Sequence, residues 1–300
     1  GSEGLSRSII VVTPSNSPPL ARLRGAYVAT AIAEFFRDQG LDVMFLFDSV
    51  TRFARAMREI GLASGEPAAT RGYPPSMFDS MPKLLERCGT SEKGTITGFY
   101  TILVDGDDLD EPVSDTVRGI LDGHFVLSRS LAQRYHYPAI DVLGSISRSA
   151  KDITGSETKK AVGIVRRLLA DYAGAEMLID VGAYKAGSNS KIDEAIAKRD
   201  EIEKFLIQAI EEKSTVPETL AALGEIAGVE IPESEMEVFL SKMVLPVDKE
   251  EDDDYVPAEV ISVIPYSMEA APQEFLPEPE VEEQDSIPEP DLLDLPLMDF

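Results

Sequence analysis

The sequence predicts an α/β fold: a parallel sheet with helices on both faces, then a helical region and a largely disordered acidic tail. Short apolar runs alternate with longer helical patterns as far as about residue 154, and such alternation is typical of βαβ units. Only helical periodicity follows, up to residue 228. Acidic residues and proline then dominate, so we expect no packed core there. The predicted parts are 1–154, 155–228 and 229–300.

The sheet is organised around Asp42–Asp48, in which five apolar residues stand between two carboxylates. Such a run is typical of a strand that is buried on both faces. A carboxylate at its C-terminal tip, Asp48, lies where open α/β sheets bind their ligands. In nucleotide hydrolases an Asp at this place holds Mg²⁺. The alternative is a strand-end Asp that caps the next helix.

Local signals predict the neighbouring elements. Ser8–Thr13 is a β-branched run and predicts a second buried strand, and Leu20–Gln39 predicts a helix that Gly40 ends. Strand, helix and strand in this order form a βαβ unit with a right-handed crossover. The next predicted elements are helices at Val50–Ile60 and Met77–Arg87, a strand at Gly94–Val104, a helix at Val113–Leu121, a strand at Phe125–Leu127, a helix from Ser128 to Arg134, and a return to the sheet at Tyr137–Val142.

Helices alone are predicted in the middle of the chain, and a linker at 182–189 separates the first two. Thr215 is a hydroxyl cap that Pro217 and Glu218 follow, a strong start signal for the last helix. The predicted spans are Thr158–Ile179, Lys191–Glu212 and Val216–Ala227.

Three arginines, Arg52, Arg55 and Arg58, are three residues apart, so they lie roughly on one face of the predicted helix after Asp48. One interpretation places them beside a bound anion. The other is a solvated face whose arginines pair with Asp48 or Glu59.

Charge and composition exclude several classes of protein. The net charge is −26, and residues 229–300 contribute 22 acidic and 2 basic residues to it. Neither residues 1–228 nor residues 229–300 have the basic face that nucleic-acid binding requires. The single cysteine, Cys88, allows no internal disulfide. No apolar run approaches the roughly 20 residues of a membrane span, and we expect no signal peptide.

Two acidic segments suggest ligands or partners. Asp105–Pro112 resembles a calcium loop but lacks the required order of ligands. Asp291–Phe300 alternates acidic and bulky apolar residues, as in a docking peptide that folds on a partner, although a solvated tail is the preferred interpretation. Glu235–Val244 could form a short amphipathic helix. The hydrophobic patches of the tail are Met236–Val244, Val260–Ile264 and Leu292–Met298.

From Ile10 to about Gly228 the sequence resembles the catalytic subunit of the flagellar and type III secretion export ATPases, relatives of the β subunit of rotary ATP synthases. Two stretches, "TGFYTILVDGDDLDEP" and "HFVLSRSLAQRYHYPAID", indicate the export branch. The other matching stretches are "RLRGAYVATAIAEFFRDQG", "DSVTRFARAMREIGLASGEPAATRGYPPSMF", "LLERCGTSEKGTI", "RGILDG" and "VLGSISR". The resemblance implies a partial RecA-like sheet followed by a helical C-terminal domain.

The same resemblance implies roles for five residues. Asp48 matches the aspartate that is associated with Mg²⁺, and Arg52 matches an arginine near the γ-phosphate. Tyr137 matches the aromatic residue beside adenine, and Tyr184 could also lie near the purine. Arg148 matches the arginine finger, which acts on the nucleotide of the neighbouring subunit. The alternatives are a salt bridge at the domain junction for Arg148 and plain packing for Tyr137.

The implied cofactors are ATP and Mg²⁺, and the implied assembly is a homo-hexamer. The implied partners are stalk and regulator proteins of the export apparatus and export chaperone–substrate complexes, with no nucleic acid. The location implied is cytoplasmic, peripheral at the export gate of the inner membrane. The implied function is to couple ATP hydrolysis to the unfolding and secretion of export substrates.

The phosphate-binding motif G-x-x-x-x-G-K-[ST] is absent from the sequence. The stretches at Gly89–Gly94 and Gly182–Gly187 do not fit it. The catalytic glutamate and the N-terminal β-barrel of the family are also missing. We therefore expect that the chain begins partway through the ATPase domain, after a cloning remnant at Gly1–Ser2. Alone it should not hydrolyse ATP, and a sheet that lacks strands should aggregate or pair with a partner.

Other functions stay open at this point. In one, the chain is a non-catalytic scaffold whose helical region and tail recruit export chaperones or stalk proteins. In another, it is a hexameric nucleic-acid motor, which the acidic composition disfavours. The tail could also belong to a different polypeptide, since the composition changes near Gly228.

Overall fold

The computed structural model describes residues 2–237, and the α/β class is confirmed. The helices are α1 (Ser2–Ser6), α2 (Pro19–Arg37), α3 (Val50–Ala63), α4 (Pro75–Leu85), α5 (Pro112–Ile120), α6 (Arg129–Gln133), α7 (Ala150–Ile153), α8 (Ser156–Asp180), α9 (Ser190–Leu206) and α10 (Val216–Ala227). The strands are β1 (Asp42–Asp48), β2 (Gly89–Thr90), β3 (Thr95–Thr101), β4 (Gly123–Leu127) and β5 (Ile140–Ser147). Within residues 2–237 no helix is both long and apolar enough to cross a membrane.

Strand β1 pairs in parallel with β3 along its whole length, from Asp42 opposite Thr95 to Asp48 opposite Thr101. Short strand β2 extends this sheet on the other side of β3 and is antiparallel to it. The predicted central strand therefore has the predicted bounds, and its carboxyl end places Asp48 at the edge where ligands bind.

The two faces of β1 differ in burial. Phe45 points to a face on which Ala33 of α2 and Ile96 of β3 pack, and all three are buried. Met44 and Leu46 point to the other face and are 70% and 72% exposed. The prediction that β1 is buried on both faces is therefore wrong, because the described helices cover only the Phe45 face. The apolar run itself contains no signal for this difference.

Two further sequence predictions are wrong. Ser8–Thr13 is not a strand, since its backbone makes no ladder with another described strand. The segment Tyr137–Val142 does not return to the sheet of β1. Strand β5 instead pairs with β4 in a separate antiparallel two-stranded sheet. A strand forms only where another strand pairs with it, and the sequence of one strand does not identify its partner strand.

A second core lies between α8, α9 and α10, where Leu168, Ile202 and Leu223 are buried. The predicted start of α10 is confirmed, because Thr215 and Glu218 form a capping box. Helix α9 ends at Leu206, before the predicted Glu212. Beyond it, the amide of Gln208 donates a hydrogen bond to the Tyr137 carbonyl over 2.8 Å. This tertiary bond replaces the continuation of the helix.

The chain continues to pack on this helical core after Gly228. Val229 and Ile231 are buried in the core, although the predicted helical part ends at residue 228. Residues 233–237 are helical, and the rest of the predicted helix Glu235–Val244 lies outside the described residues. The other predicted patches and the docking peptide Asp291–Phe300 also lie outside them. The helical part of the fold thus includes the first residues of the predicted tail.

Glu235 caps the N-terminus of α8 from more than 70 residues along the chain. Its carboxylate accepts hydrogen bonds from the Thr158 hydroxyl at 2.7 Å, the Thr158 amide at 2.9 Å and the Glu157 amide at 3.1 Å. These amides have no partner within the helix, so the carboxylate satisfies them. The same bonds, the Thr158 hydroxyl first, hold the pKa of Glu235 below its ordinary value of 4.5.

We predict that Glu235→Gln lowers the thermal unfolding midpoint of the chain at pH 7 and lowers it less at pH 3. A carboxyl whose pKa is lowered by folding stabilises the protein above its unfolded pKa, here 4.5, and loses that effect as the pH falls through the folded value. Circular dichroism melts at both pH values test this. Glu233→Gln is the matched control, because Glu233 is exposed and its carboxylate accepts no capping hydrogen bond from any residue in 2–237. Equal midpoints of the Glu235 variant and wild type at pH 7 would contradict the prediction.

Candidate functional site

Asp48 ends β1, and its side chain is exposed. The residue that follows, Ser49, is the N-cap residue of α3, and no side chain caps that helix. Within residues 2–237 the Asp48 carboxylate accepts no hydrogen bond and forms no salt bridge, so the helix-capping alternative finds no support. A free, exposed carboxylate fits Mg²⁺, which keeps several waters and takes one or two protein carboxylates together with phosphate oxygens.

The three arginines of α3 have different partners. Arg52 is exposed and donates a hydrogen bond to the Ser15 hydroxyl. Arg55 pairs with Asp105 at 3.4 Å. The guanidinium of Arg58 lies 5.5 Å from the centre of the Tyr73 ring. All three side chains are exposed, as the alternative of a solvated face predicted, but in the described part of the chain none of them pairs with Asp48 or Glu59, so the predicted partners are wrong. Arg52 alone lies in the first turn of α3, beside Asp48.

The acidic loop at Asp105–Asp108 is occupied by arginines from three elements. It pairs as Arg55 with Asp105, Arg71 with Asp108 and Arg129 with Asp107. Among residues 2–237 no group of three His, Cys, Asp or Glu side chains is placed to hold a metal ion. The loop therefore joins parts of the α/β region through ion pairs.

Arg148 directly follows β5 and is exposed. Its amide donates to the Asp122 carbonyl over 2.7 Å, and one guanidinium nitrogen, Nη2, donates to the Arg118 carbonyl over 3.2 Å. Both acceptors are backbone atoms at the end of α5 and the start of β4. No described carboxylate pairs with Arg148, so the salt bridge at the domain junction is not formed. The other N–H groups of the guanidinium stay available for an anion.

The two candidate adenine-binding tyrosines lie in different settings. Tyr137 is 50% exposed, and its ring meets that of Tyr135 edge to face at 6.5 Å. Half of the residue's surface is thus not used in packing. Tyr184 lies in the linker between α8 and α9, where its hydroxyl is 2.9 Å from an Asp193 carboxylate oxygen and 3.0 Å from the Asn189 carbonyl.

The structure brings some of the predicted residues together and not others. Asp48 and Arg52 share the junction between β1 and α3. Tyr137 precedes β5 and Arg148 follows it, so they lie at opposite ends of that strand. In residues 2–237 no hydrogen bond or ion pair joins Arg148 to the Asp48 junction. Sequence reasoning missed the Asp122 and Arg118 carbonyls that hold Arg148, because backbone acceptors have no residue-type signal.

Two family models match this chain. Residues 1–147 match the ATP synthase alpha/beta family, nucleotide-binding domain. Residues 154–225 match the T3SS EscN ATPase C-terminal domain. The matched residues therefore belong to a nucleotide-binding domain of the ATP synthase alpha/beta family and to a C-terminal domain of the secretion type.

The chain is 61% identical to the flagellum-specific ATP synthase of Treponema pallidum (strain Nichols) over 231 residues, 77% of this chain and 52% of that protein. It also resembles the assembled ATPase EscN of the enteropathogenic E. coli type III secretion system, with 45% identity, a TM-score of 0.68 and coverage of 72% and 52% of the two chains. The structure of EscN in complex with its central stalk EscO is 44% identical in sequence and has a TM-score of 0.64. This match covers 72% of this chain and 52% of that chain.

The chain belongs to the flagellar and type III secretion ATPases, as the sequence resemblance indicated. It spans about half the length of the relatives that it matches.

Proposed function

We propose that this chain is part of a type III export ATPase that couples ATP hydrolysis to the unfolding and secretion of export substrates. In this proposal Arg148 acts on the nucleotide of a neighbouring subunit. The observation that carries it is the exposed guanidinium of Arg148, which the Arg118 carbonyl holds and no described carboxylate neutralises. In a chain with a net charge of −26, an arginine so placed is suited to bind an anion from outside its own subunit.

The other site residues have roles that their surroundings support. The Asp48 carboxylate, free and exposed, binds Mg²⁺ directly or through water. Bound Mg²⁺ neutralises the charge that develops on the phosphate oxygens. Arg52, in the first turn of α3, would supply a positive charge near the γ-phosphate. Tyr137 would place its exposed ring against adenine, and Tyr184 would be a second aromatic residue near the purine.

A phosphate-binding loop with G-x-x-x-x-G-K-[ST] is absent from these 300 residues. The chain alone has then no cradle for the β- and γ-phosphates, so we expect no saturable binding of labelled Mg·ATP in an anisotropy titration. Catalysis needs the rest of the domain and a neighbouring subunit. The assembled EscN structure supports a homo-hexamer for the complete protein, and the EscN–EscO complex supports a stalk partner.

The remaining partners rest on family membership. They are regulator proteins of the export apparatus and export chaperone–substrate complexes, with the ring in the cytoplasm and peripheral at the inner-membrane export gate. We propose no nucleic-acid partner, because binding nucleic acid requires a basic surface.

Subunit mixing tests whether Arg148 acts in trans. We define the hybrid ATPase as the Treponema pallidum relative in which residues 8–228 of this chain replace the residues that they match. Its Asp48→Asn and Arg148→Ala variants should each be inactive. When equal amounts are mixed and reassembled, up to about one quarter of the interfaces in a symmetric ring combine an intact Asp48 with an intact Arg148. ATP turnover should therefore return in the mixture.

The control is a mixture of the Arg148→Ala variant with an Asp48→Asn, Arg148→Ala double variant, which restores no complete interface. Turnover in the first mixture but not in this one is the expected result. An inactive first mixture, with native mass spectrometry showing mixed rings, would mean that Arg148 and Asp48 serve the same nucleotide, and the trans role would be wrong.

A further inference from the structure

Two backbone carbonyls orient Arg148. The Arg148 amide continues the antiparallel ladder of β4 and β5 by donating to the Asp122 carbonyl over 2.7 Å. Its Nη2 donates to the Arg118 carbonyl over 3.2 Å. The first bond sets the direction in which the side chain leaves β5, and the second sets the position of the guanidinium. The first acceptor lies directly before β4, and the second lies in the last turn of α5.

The Arg118 carbonyl is well suited to hold a cation. It lies in the last turn of α5, where carbonyls have no partner within the helix. The negative end of the helix dipole also lies there. A guanidinium that donates one N–H to this carbonyl satisfies an acceptor that has no partner within the helix. It also keeps most of its own donors free. The end of α5 therefore positions Arg148 and leaves its positive charge in place. A carboxylate at the same position would neutralise that charge.

Gly123 makes this arrangement sterically possible. It is the first residue of β4 and stands opposite Ser147, the residue before Arg148. A Cβ at Gly123 would lie 2.6 Å from the Ile146 carbonyl oxygen and 3.2 Å from the Ser147 Cα. Both atoms are backbone, so a side-chain movement cannot relieve the contact. Any larger residue would force the end of β5 away from β4, at the pair beside Arg148.

We propose that Gly123 is a positioning residue for Arg148: its missing side chain lets β5 approach β4 closely enough for the Asp122 and Arg118 carbonyls to fix the arginine. This inference rests on the proposed function of Arg148. Gly123 touches neither nucleotide nor metal, and its effect on the reaction passes entirely through the place of the guanidinium. A displacement of about 1 Å at such a group can cost about 10² in rate.

The test compares Gly123→Ala with Gly119→Ala in the hybrid ATPase. A Cβ at Gly119 meets no atom within 4 Å, and alanine favours the helix in which it lies. We expect kcat to fall by about 10² for Gly123→Ala with an unchanged KM for Mg·ATP. Gly119→Ala should keep both values. Equal kcat for Gly123→Ala and wild type would overturn the inference.

A double-mutant cycle separates positioning from general damage. If Gly123 acts through Arg148, Gly123→Ala should cost nothing further in the Arg148→Ala background. If it damages the fold in general, the two losses should multiply, and the inference would be wrong. If Arg148→Ala itself leaves kcat unchanged, the proposed function fails instead.

Amide hydrogen exchange in the full 300-residue chain gives a readout without activity. Gly123→Ala should speed exchange of the Arg148 amide, because its bond to the Asp122 carbonyl is lost, while exchange in α10 (Val216–Ala227) stays at the wild-type rate. Gly119→Ala should leave both unchanged. Protection of Arg148 as in wild type would contradict the inference, and so would faster exchange throughout the chain, since the predicted effect is local.

Discussion

Replacing Arg148 by alanine in the hybrid ATPase should lower kcat by about 10³ or more, because an arginine finger contributes on the order of 10³ to 10⁵ to phosphoryl transfer. The guanidinium is exposed and retains free N–H groups, which suit the charge that develops on the γ-phosphoryl oxygens. The KM for Mg·ATP should change little, since this charge develops in the transition state. Steady-state kinetics measure both constants.

Two variants make this prediction specific. Arg148→Lys keeps the charge but loses the planar fork, so it should recover little of the rate. Arg129→Ala is the matched control: Arg129 is also an exposed arginine after a strand, and it lies 3.9 Å from Asp107. Its removal should leave kcat near the wild-type value. If Arg129→Ala and Arg148→Ala lowered kcat equally, the loss would reflect surface charge and not a finger.

Replacing Asp48 by asparagine should give the second large effect, a loss of about 10² to 10³ in kcat at ordinary Mg²⁺ concentrations. The substitution keeps the size of the side chain and removes the charge that holds the cation, whose contribution to phosphoryl transfer amounts to several kcal/mol. The apparent affinity for Mg²⁺ should weaken as well. Rates measured against Mg²⁺ concentration at saturating ATP test both points.

Asp42→Asn is the control for Asp48→Asn, because Asp42 stands at the other end of β1. Its carboxylate accepts a hydrogen bond from the Thr95 hydroxyl over 2.7 Å. Losing that exposed bond should reduce stability slightly and leave the Mg²⁺ dependence unchanged. An Asp48→Asn variant with the wild-type Mg²⁺ dependence would exclude Asp48 as the metal-associated residue.

Elements with strong local signals were predictable from the sequence. Helix α10 has its predicted bounds, because Thr215 and Glu218 satisfy its first amides from within the segment. Strand β1 also has its predicted bounds, since its apolar run ends in a carboxylate at each side. Elements that depend on a distant partner were not predictable. Ser8–Thr13 has strand residues without a strand partner, and α9 stops where Gln208 bonds Tyr137.

The burial of side chains shows the same difference between features with local signals and features that depend on a distant partner. The apolar run in β1 does not distinguish Phe45, which α2 covers, from Met44 and Leu46, which remain exposed. Val229 and Ile231 belong to the helical core although the composition around them is that of the acidic tail. In each case the deciding quantity is which element packs against the side chain, and residue type alone does not fix it.

The sequence by itself determined the family and the residue types of the candidate site, because long matching stretches include Asp48, Arg52, Tyr137 and Arg148. Only the tertiary structure decided that Arg148 has no described acidic partner and that two carbonyls hold it. The physical reason is that a side chain carries its chemistry in its identity, whereas a backbone carbonyl is the same at every residue. What distinguishes the Asp122 and Arg118 carbonyls is the place to which the fold brings them.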